Sequence, residues 1–183
     1  MKDILEINPI IAAIKNDKQL EEAIKCDCEV VFMLNGDILT LAQKVRYLQK
    51  HDKKVFIHID MVSGLASSPL TVDYLQRELN VYGIISTKAN IVKRALELNL
   101  KVVQRFFFID SMSVESAIES LRKVKPNAIE IMPGIMPKVI KRINHVYPNI
   151  PIICGGLIDT KEEIISVLAS GAMAVSTTKS DIW

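Results

Sequence analysis

Short runs rich in Val and Ile recur along this chain, and the segments between them place apolar residues at the 3.6-residue period of a helix. The runs are PIIAAI (9–14), VVFML (30–34), VFIHI (55–59), YGIIS (82–86), KVVQRFFFI (101–109), AIEIM (128–132), IPIIC (150–154) and AMAVS (172–176). Most are almost unbroken in apolar residues, as strands are when a parallel sheet is covered on both faces. Among the helical segments, 136–147 sets Met136, Val139, Ile140, Ile143 and Tyr147 on one side, with Lys138, Lys141, Arg142 and His145 opposite. In 113–124 the apolar stripe is Val114, Ala117, Ile118 and Leu121. Thr160 and Glu163 have capping-box spacing at the start of 161–170, and Gly171 stands where a helix ends in the left-handed conformation. A further helix opens at Ala89 or Asn90 and runs to about Asn99.

Strands that alternate with helices specify βαβ units and a parallel sheet. Eight of them specify an α/β fold, a compact TIM-barrel-like (β/α)8 barrel. An open, doubly wound sheet of five or six strands is the alternative. The chain has 183 residues, while such barrels usually need about 200 or more. The deficit falls at the end, where only Lys179 to Trp183 follow the eighth run. That is too short for a covering helix, so the last helix is truncated. The uncovered flank beside the eighth and first strands should then be apolar, which predicts a homo-oligomer, most simply a two-fold dimer. No linker or shift in composition divides the chain, so 1–183 reads as a single domain.

Composition removes several classes. A hydrophobic fraction of 49% and a charged fraction of 24% are ordinary for a soluble protein. No apolar run approaches the ~20 residues that span a bilayer. The start, MKDILEINPI, lacks the basic-then-apolar pattern of a signal peptide. These features predict a cytoplasmic protein. Cys26, Cys28 and Cys154 are too few for a disulfide framework. With His51, His58 and His145 they do not make the four-ligand set of a structural zinc site, so neither metal nor cofactor is expected. A net charge of +2 does not by itself point to nucleic acid, although the distribution of charge matters more than its sum.

Two segments carry chemistry. Gly155-Gly156 directly follows the seventh strand, where paired glycines let backbone amides approach an anion. Ser176-Thr177-Thr178 directly follows the eighth, with hydroxyls and amides that can donate to phosphate oxygens. In (β/α)8 barrels a phosphate commonly sits on the loops after these two strands. Other strand ends add polar residues. His58 and Asp60 share a face of the third strand, Ser86, Thr87 and Lys88 end the fourth, Gln104 and Arg105 interrupt the fifth, and Glu130 interrupts the sixth. Unpaired burial of such groups costs several kcal/mol, so a set converging on one mouth argues for a site. His58, Asp60, Lys88 and Glu130 are of acid–base type. However, no His-Glu zinc helix, nucleophile elbow or nucleotide P-loop is present. These residues leave a phosphosugar enzyme and a non-catalytic sensor undecided.

The ordered motifs narrow this. His58-Ile59-Asp60-Met61-Val62-Ser63-Gly64-Leu65, Gly83-Ile84-Ile85-Ser86-Thr87-Lys88, Gln104-Arg105, Glu130 with Pro133-Gly134, and Pro137-Lys138 follow one another. Gly155-Gly156-Leu157-Ile158, Gly171-Ala172, Val175-Ser176-Thr177 and Trp183 complete the series. The chain resembles the glycerol uptake operon antiterminator regulatory proteins over nearly its whole length. The resemblance implies a small TIM-barrel-like regulator that requires no catalysis. It implies sn-glycerol 3-phosphate as effector and binding to the leader mRNA of glycerol-utilisation genes, which prevents early termination. The one departure is Ala66-Ser67-Ser68-Pro69-Leu70, where the family usually carries a charged stretch.

On this reading Gly155, Gly156, Ser176 and Thr177 hold the phosphate. His58, Asp60, Arg105 and Glu130 meet the glycerol end, with Lys88 near the charge. Lys138, Lys141 and Arg142 line one helix face at i, i+3, i+4 spacing, next to Arg122, Lys123 and Lys125 of the preceding helix, and form the expected RNA surface. The alternative is a barrel enzyme acting on a phosphorylated three-carbon or sugar substrate.

Overall fold

A computed structural model describes residues 1–183. Eight parallel strands pair in sequence order: β1 (Ile10–Ile14), β2 (Val30–Met33), β3 (Lys54–His58), β4 (Gly83–Ser86), β5 (Lys101–Phe107), β6 (Ala128–Met132), β7 (Ile152–Gly155) and β8 (Ala174–Thr177). β8 pairs back to β1 through Ile11↔Ser176, so the barrel is closed and the open-sheet alternative is excluded. Helix α1 (Lys2–Ile7) precedes β1, and α2 (Asp17–Ala23), α3 (Ile38–Gln49), α4 (Pro69–Leu79), α5 (Ala89–Glu97), α6 (Ser111–Lys123), α7 (Pro137–Val146) and α8 (Lys161–Ala169) alternate with the strands. No helix is long and apolar enough to cross a membrane.

Local chemistry starts the helices where the strands end. The side chains of Asn16, Asp37, Asp110 and Thr160 each accept an amide of the following first turn, which supplies partners for otherwise orphaned N–H groups. The Thr160–Glu163 capping box forms as its spacing predicts. Gly171, at φ +106°, follows the end of α8.

Inward-facing residues alternate along each strand. Ile11, Ala13, Phe32, Phe56, Ile85, Val103, Ala128, Ile153 and Ala174 fill the lower barrel. Outward-facing residues pack beneath the helices in two larger clusters. Gly83 lets a ring fit here, because a Cβ at that position would lie 2.3 Å from Phe56 Cε1.

The structure departs from the sequence expectations in several places. Helix α1 was not anticipated; at six residues it is too short for periodicity to register, yet its Leu5 is fully buried among the interior side chains and helps close the barrel floor. β3 stops at His58, and Asp60 lies in a 3₁₀ turn (Ile59–Met61). The two-residue alternation that would put His58 and Asp60 on one strand face therefore does not apply. β8 runs two residues later than expected at its start and takes in Thr177. The last helix is truncated to a 3₁₀ turn, Ser180–Ile182. The flank beside it is not bare: Ile182 and Trp183 pack onto the core clusters, and Trp183 Nε1 donates to Thr177 O at 2.8 Å. Exposed large apolar side chains gather elsewhere.

Candidate ligand site at the C-terminal mouth

Inside the barrel, chemistry changes from apolar to polar within one step along each of several strands. Two residues beyond Val103 stands Arg105, beyond Ala128 Glu130, beyond Ala174 Ser176, beyond Phe56 His58, and beyond Ala13 Lys15. Period-two alternation therefore projects one polar ring above the apolar plug.

The centre of that ring is a closed network. Arg105 Nε donates to Glu130 Oε2 at 2.6 Å, and both side chains are almost wholly buried. Ser176 Oγ donates to Glu130 Oε1 at 2.6 Å. Gly155 makes this possible, since a Cβ there would lie 2.5 Å from Ser176 Oγ and 2.6 Å from Glu130 Oε1. Its role is to clear space for the network, and it does not line the cavity.

Asp60 is saturated as well. It accepts from Ser67 Oγ at 2.8 Å, the Thr87 amide at 2.9 Å, and Ser86 Oγ and Thr87 Oγ1 at 3.1 Å each. Burial pushes its carboxyl up, but the Thr87, Ser67 and Ser86 hydrogen bonds outweigh this and hold it below the usual carboxylate range. The divergent 66–70 loop contributes here through Ser67. Burial, with the nearby Arg105 charge, pushes the His58 imidazole down to about 4 against the pull of Asp60. His58 is thus neutral at pH 7, and its buried Nδ1 has no partner. Burial, helped by the Glu130 charge, pushes the Cys154 thiol up to about 12, which leaves it inert as a nucleophile.

A cavity of about 130 Å³ opens above Arg105, Glu130 and Ser176. It lies below the roughly 300–1,000 Å³ of sites for drug-sized ligands, so it suits a smaller molecule. Its rim is formed by Gly156, Leu157, Ile158 and Asp159 after β7, by Thr177 and Thr178 of the β8 end, and by Lys15 after β1. The amides of Gly156, Leu157, Ile158 and Thr178 donate to no protein acceptor. Gly156 and Leu157 adopt φ +74° and +58°, a left-handed pair of the sort that turns successive N–H groups into an anion-binding concavity. With Lys15 beside them, these donors can hold a phosphate by backbone and charge.

Of the residues singled out in the sequence, Arg105, Glu130, Gly156, Ser176 and Thr177 come together on the cavity. The Ser176 hydroxyl is committed to Glu130, and the Thr177 hydroxyl donates to Ile158 O at 3.1 Å while accepting from the Lys179 amide. Both hydroxyls are engaged within the protein, so the free donors on this side of the cavity are amides. His58, Asp60 and Lys88 stand away from the lining, and Lys88 is exposed without a partner at the start of α5. Sequence reasoning missed Lys15 and did not single out the amides of Leu157 and Ile158, whereas the Thr178 amide belongs to the run it named. The inward register of Ile11 and Ala13 was the available signal for Lys15.

On α7, Lys138, Lys141, Arg142 and His145 are all exposed, as the spacing predicts. Arg142, however, pairs with Glu115 of α6, and Lys123 with Glu119 at 3.2 Å. Lys138 and Lys141 are left as the cations without an ion pair on that helix.

Comparison with known proteins places this geometry. An uncharacterized protein of Escherichia coli K12, YgcP, is 33% identical over 180 residues, covering 98% of this chain and 94% of that protein. The crystal structure of the glycerol uptake operon antiterminator regulatory protein of Listeria monocytogenes is 36% identical, with a TM-score of 0.92 over 96% of this chain and 95% of that one. A glycerol uptake operon antiterminator-related protein of Thermotoga maritima is 31% identical, with a TM-score of 0.85 over 95% and 96% of the two chains. Orotidine 5'-phosphate decarboxylase of Pyrococcus horikoshii, at 16% identity and TM-score 0.70 over 92% and 88%, shares the barrel fold. Residues 10–183 match the family of glycerol-3-phosphate responsive antiterminators, and the chain belongs to that family.

Proposed function

We propose that this protein is a cytoplasmic, single-domain regulator that binds sn-glycerol 3-phosphate in the mouth cavity and, in response, binds leader mRNA to promote antitermination of glycerol-utilisation genes. The observation that carries the ligand is the row of amides at Gly156, Leu157, Ile158 and Thr178, which line a small cavity and have no protein acceptor. Backbone amides arranged in this way favour an anion, and Lys15 supplies charge. Arg105 lines the same cavity, and its Nη2, which has no protein acceptor, suits the hydroxyl end of a short polyol phosphate. Membership of a glycerol-3-phosphate responsive antiterminator family supports the effector and the RNA target.

A role without catalysis fits the carboxylates. The oxygens of Asp60 and Glu130 already accept from protein donors. Donors that already hold those oxygens compete with a substrate proton for them. The discriminating experiment mixes the protein with glycerol 3-phosphate and, separately, with triose phosphates, following turnover and retention of leader RNA together. Ligand-dependent retention without turnover is the expected result. Turnover of a triose phosphate would sink the reading, as would RNA retention that glycerol 3-phosphate leaves unchanged.

A further inference from the structure

Two of the three cysteines share one loop. Cys26 and Cys28 flank Asp27 between α2 and β2, at the N-terminal end of the barrel and opposite the mouth cavity. Cys26 is half-buried and Cys28 almost wholly buried, and both pack on the core cluster beneath α2 and α3. Side chains from elsewhere hold the backbone of this loop. Lys53 Nζ donates to Cys26 O at 2.7 Å and to Cys28 O at 2.8 Å. Asn8 Nδ2 donates to Asp27 O at 2.7 Å. All three carbonyls are therefore occupied, and a lysine ammonium is fastened beside the sulfurs. The two thiols are in hydrogen-bond contact, and the Cys28 amide donates to the Cys26 sulfur. With the sulfurs already in contact, a bond between them asks for little backbone movement.

These surroundings separate the pair from the third cysteine. Cys154 is a buried thiol without a donor, pushed up and inert. Cys26 goes the other way. Donation from the Cys28 thiol outweighs burial, and the Cys28 amide and the Lys53 charge add to it, which holds Cys26 below the ordinary thiol range. Ala23 O, which accepts from the protonated Cys26 thiol at 3.2 Å, does not reverse this. The same contact, together with burial, pushes Cys28 up, so it keeps its proton. The anion thus belongs on the sulfur that solvent reaches, with a protonated thiol behind it. A partly exposed thiolate beside a second thiol is the arrangement in which oxidation stops at a disulfide, because the second sulfur captures the first product.

We propose that Cys26 and Cys28 form a redox site at which a small hydroperoxide is reduced and a reversible disulfide is made within the chain. The Cys26 thiolate attacks one oxygen of hydrogen peroxide, and the O–O bond breaks. Sulfur is oxidised to a sulfenic acid, and the departing hydroxide takes up the proton that Cys26 had released. The Cys28 sulfur then attacks the Cys26 sulfur, the S–O bond breaks, and the Cys28 proton leaves with the hydroxide as water. Two thiols and one peroxide give one disulfide and two waters. Small thiols reopen the bond by exchange. The site lies at the far end of the barrel from the mouth cavity, so it rests on neither the ligand nor the RNA reading.

Hydrogen peroxide added to the whole, reduced protein tests the proposal. Thiols counted in denaturant should fall from three to one and be restored by dithiothreitol. The tryptic peptide 26–44, which holds both sulfurs, should lose the mass of two hydrogens. Both readings are made on the wild type, so they stand whatever the stability of the variants. Cys28→Ala should instead accumulate a sulfenic acid at Cys26 that dimedone traps, and Cys26→Ala should keep its thiols. The wild-type rate should fall on acidification with a midpoint below the ordinary thiol value of about 8.5, and Lys53→Met should move that midpoint up. Three thiols surviving conditions that oxidise free cysteine would overturn the proposal. A disulfide between chains would do so too, as would sulfinic or sulfonic acid at Cys26 without a disulfide. A midpoint at or above the ordinary thiol value would remove the activated thiolate and overturn it equally.

Discussion

Replacing Glu130 by Gln removes the only counter-charge of a buried guanidinium while nearly preserving shape. Arg105 and Glu130 are 4% and 0% exposed as side chains and meet at 2.6 Å. Breaking a buried pair by taking away one partner costs about 3–5 kcal/mol, because the remaining charge stays buried without compensation. For a chain of this length each kcal/mol moves Tm by roughly 2–4 °C, so a loss of about 6–20 °C is expected. Ser176 can still donate to the amide oxygen, which favours the lower half of that range. The sharper part of the expectation concerns ligand. A phosphate dianion on the amide row would share the small cavity that Arg105 and Glu130 also line, and in the wild type the carboxylate would oppose it. In Glu130→Gln the dianion instead supplies the negative charge that Arg105 has lost. Saturating ligand at 100 times its Kd stabilises any binder by about 2.7 kcal/mol. In the variant, glycerol 3-phosphate at equal concentration should raise Tm by more than it does in the wild type, and inorganic phosphate should do so too. Differential scanning fluorimetry with and without each anion measures both quantities. A variant as stable as the wild type would refute the buried-charge argument. Equal ligand-induced shifts in the two proteins would refute the placement of the anion in the cavity that Arg105 lines.

Three further outcomes are expected. Gly156→Asp places a carboxylate at the centre of the amide row, at φ +74° and with its Cβ 2.9 Å from the flexible Met132 Cε; the protein should fold and lose calorimetrically detectable binding of glycerol 3-phosphate, and unchanged affinity would remove Gly156 from the site. The buried His58 titrates at about 4 when folded against 6.5 ordinarily, so the unfolded chain takes the proton first as pH falls. Stability is therefore lost between about pH 7 and 4, by at most roughly 3 kcal/mol, and urea midpoints of His58→Gln should fall less between pH 7 and 5 than those of the wild type; parallel losses would count against it. Lys141→Ala with Arg142→Ala should weaken leader-RNA retention and reduce its salt slope by about 0.7–0.9 per lost phosphate contact. Most of that effect should come from Lys141, since Arg142 is held by Glu115. Retention and slope both unchanged would clear α7 of the RNA.

The barrel was legible because its strands are buried on both faces, which writes them as unbroken Val and Ile runs, and because its helices keep the 3.6 period. Legibility failed where tertiary contact decides. Nothing in KDILEI announces that Leu5 enters the barrel floor. Asp60 looked like a strand residue because His58-x-Asp60 has strand spacing, but a 3₁₀ turn redirects it toward Ser86 and Thr87. The glycine pair was readable as a close approach, but not which glycine does what. Gly155 makes room for Glu130 and Ser176, and Gly156 turns amides to the cavity. Serine and threonine suggest hydroxyl donors beside the amides, whereas both hydroxyls are used inside the protein and the free donors are the amides; which amides stay free is set by the backbone of the loop and not by side-chain type.

That division of labour bears on how such a site signals. Its charged centre is neutralised before any ligand arrives, Arg105 by Glu130, and Asp60 is held below the ordinary range by donors that occupy its oxygens. Groups so engaged are held in place before a ligand arrives and recognise shape and charge at little cost in ordering. The anion would rest on a loop, not on a reacting side chain. That loop has a neighbour: the Gly134 amide donates to Gly156 O at 3.1 Å, and Gly134 packs so closely that a Cβ would lie 2.7 Å from Ile158 Cδ1 and 2.9 Å from the Gly155 nitrogen. Gly134 lies in the short connection from β6 into α7, which carries Lys138 and Lys141. A phosphate drawing the amides of Gly156 to Ile158 toward itself would therefore pull on the backbone that sets the start of that helix. A ligand can shift an equilibrium only through contacts that differ between two states. Here the contact that can differ is the Gly134–Gly156 backbone hydrogen bond, in the connection that leads into the helix bearing the exposed lysines.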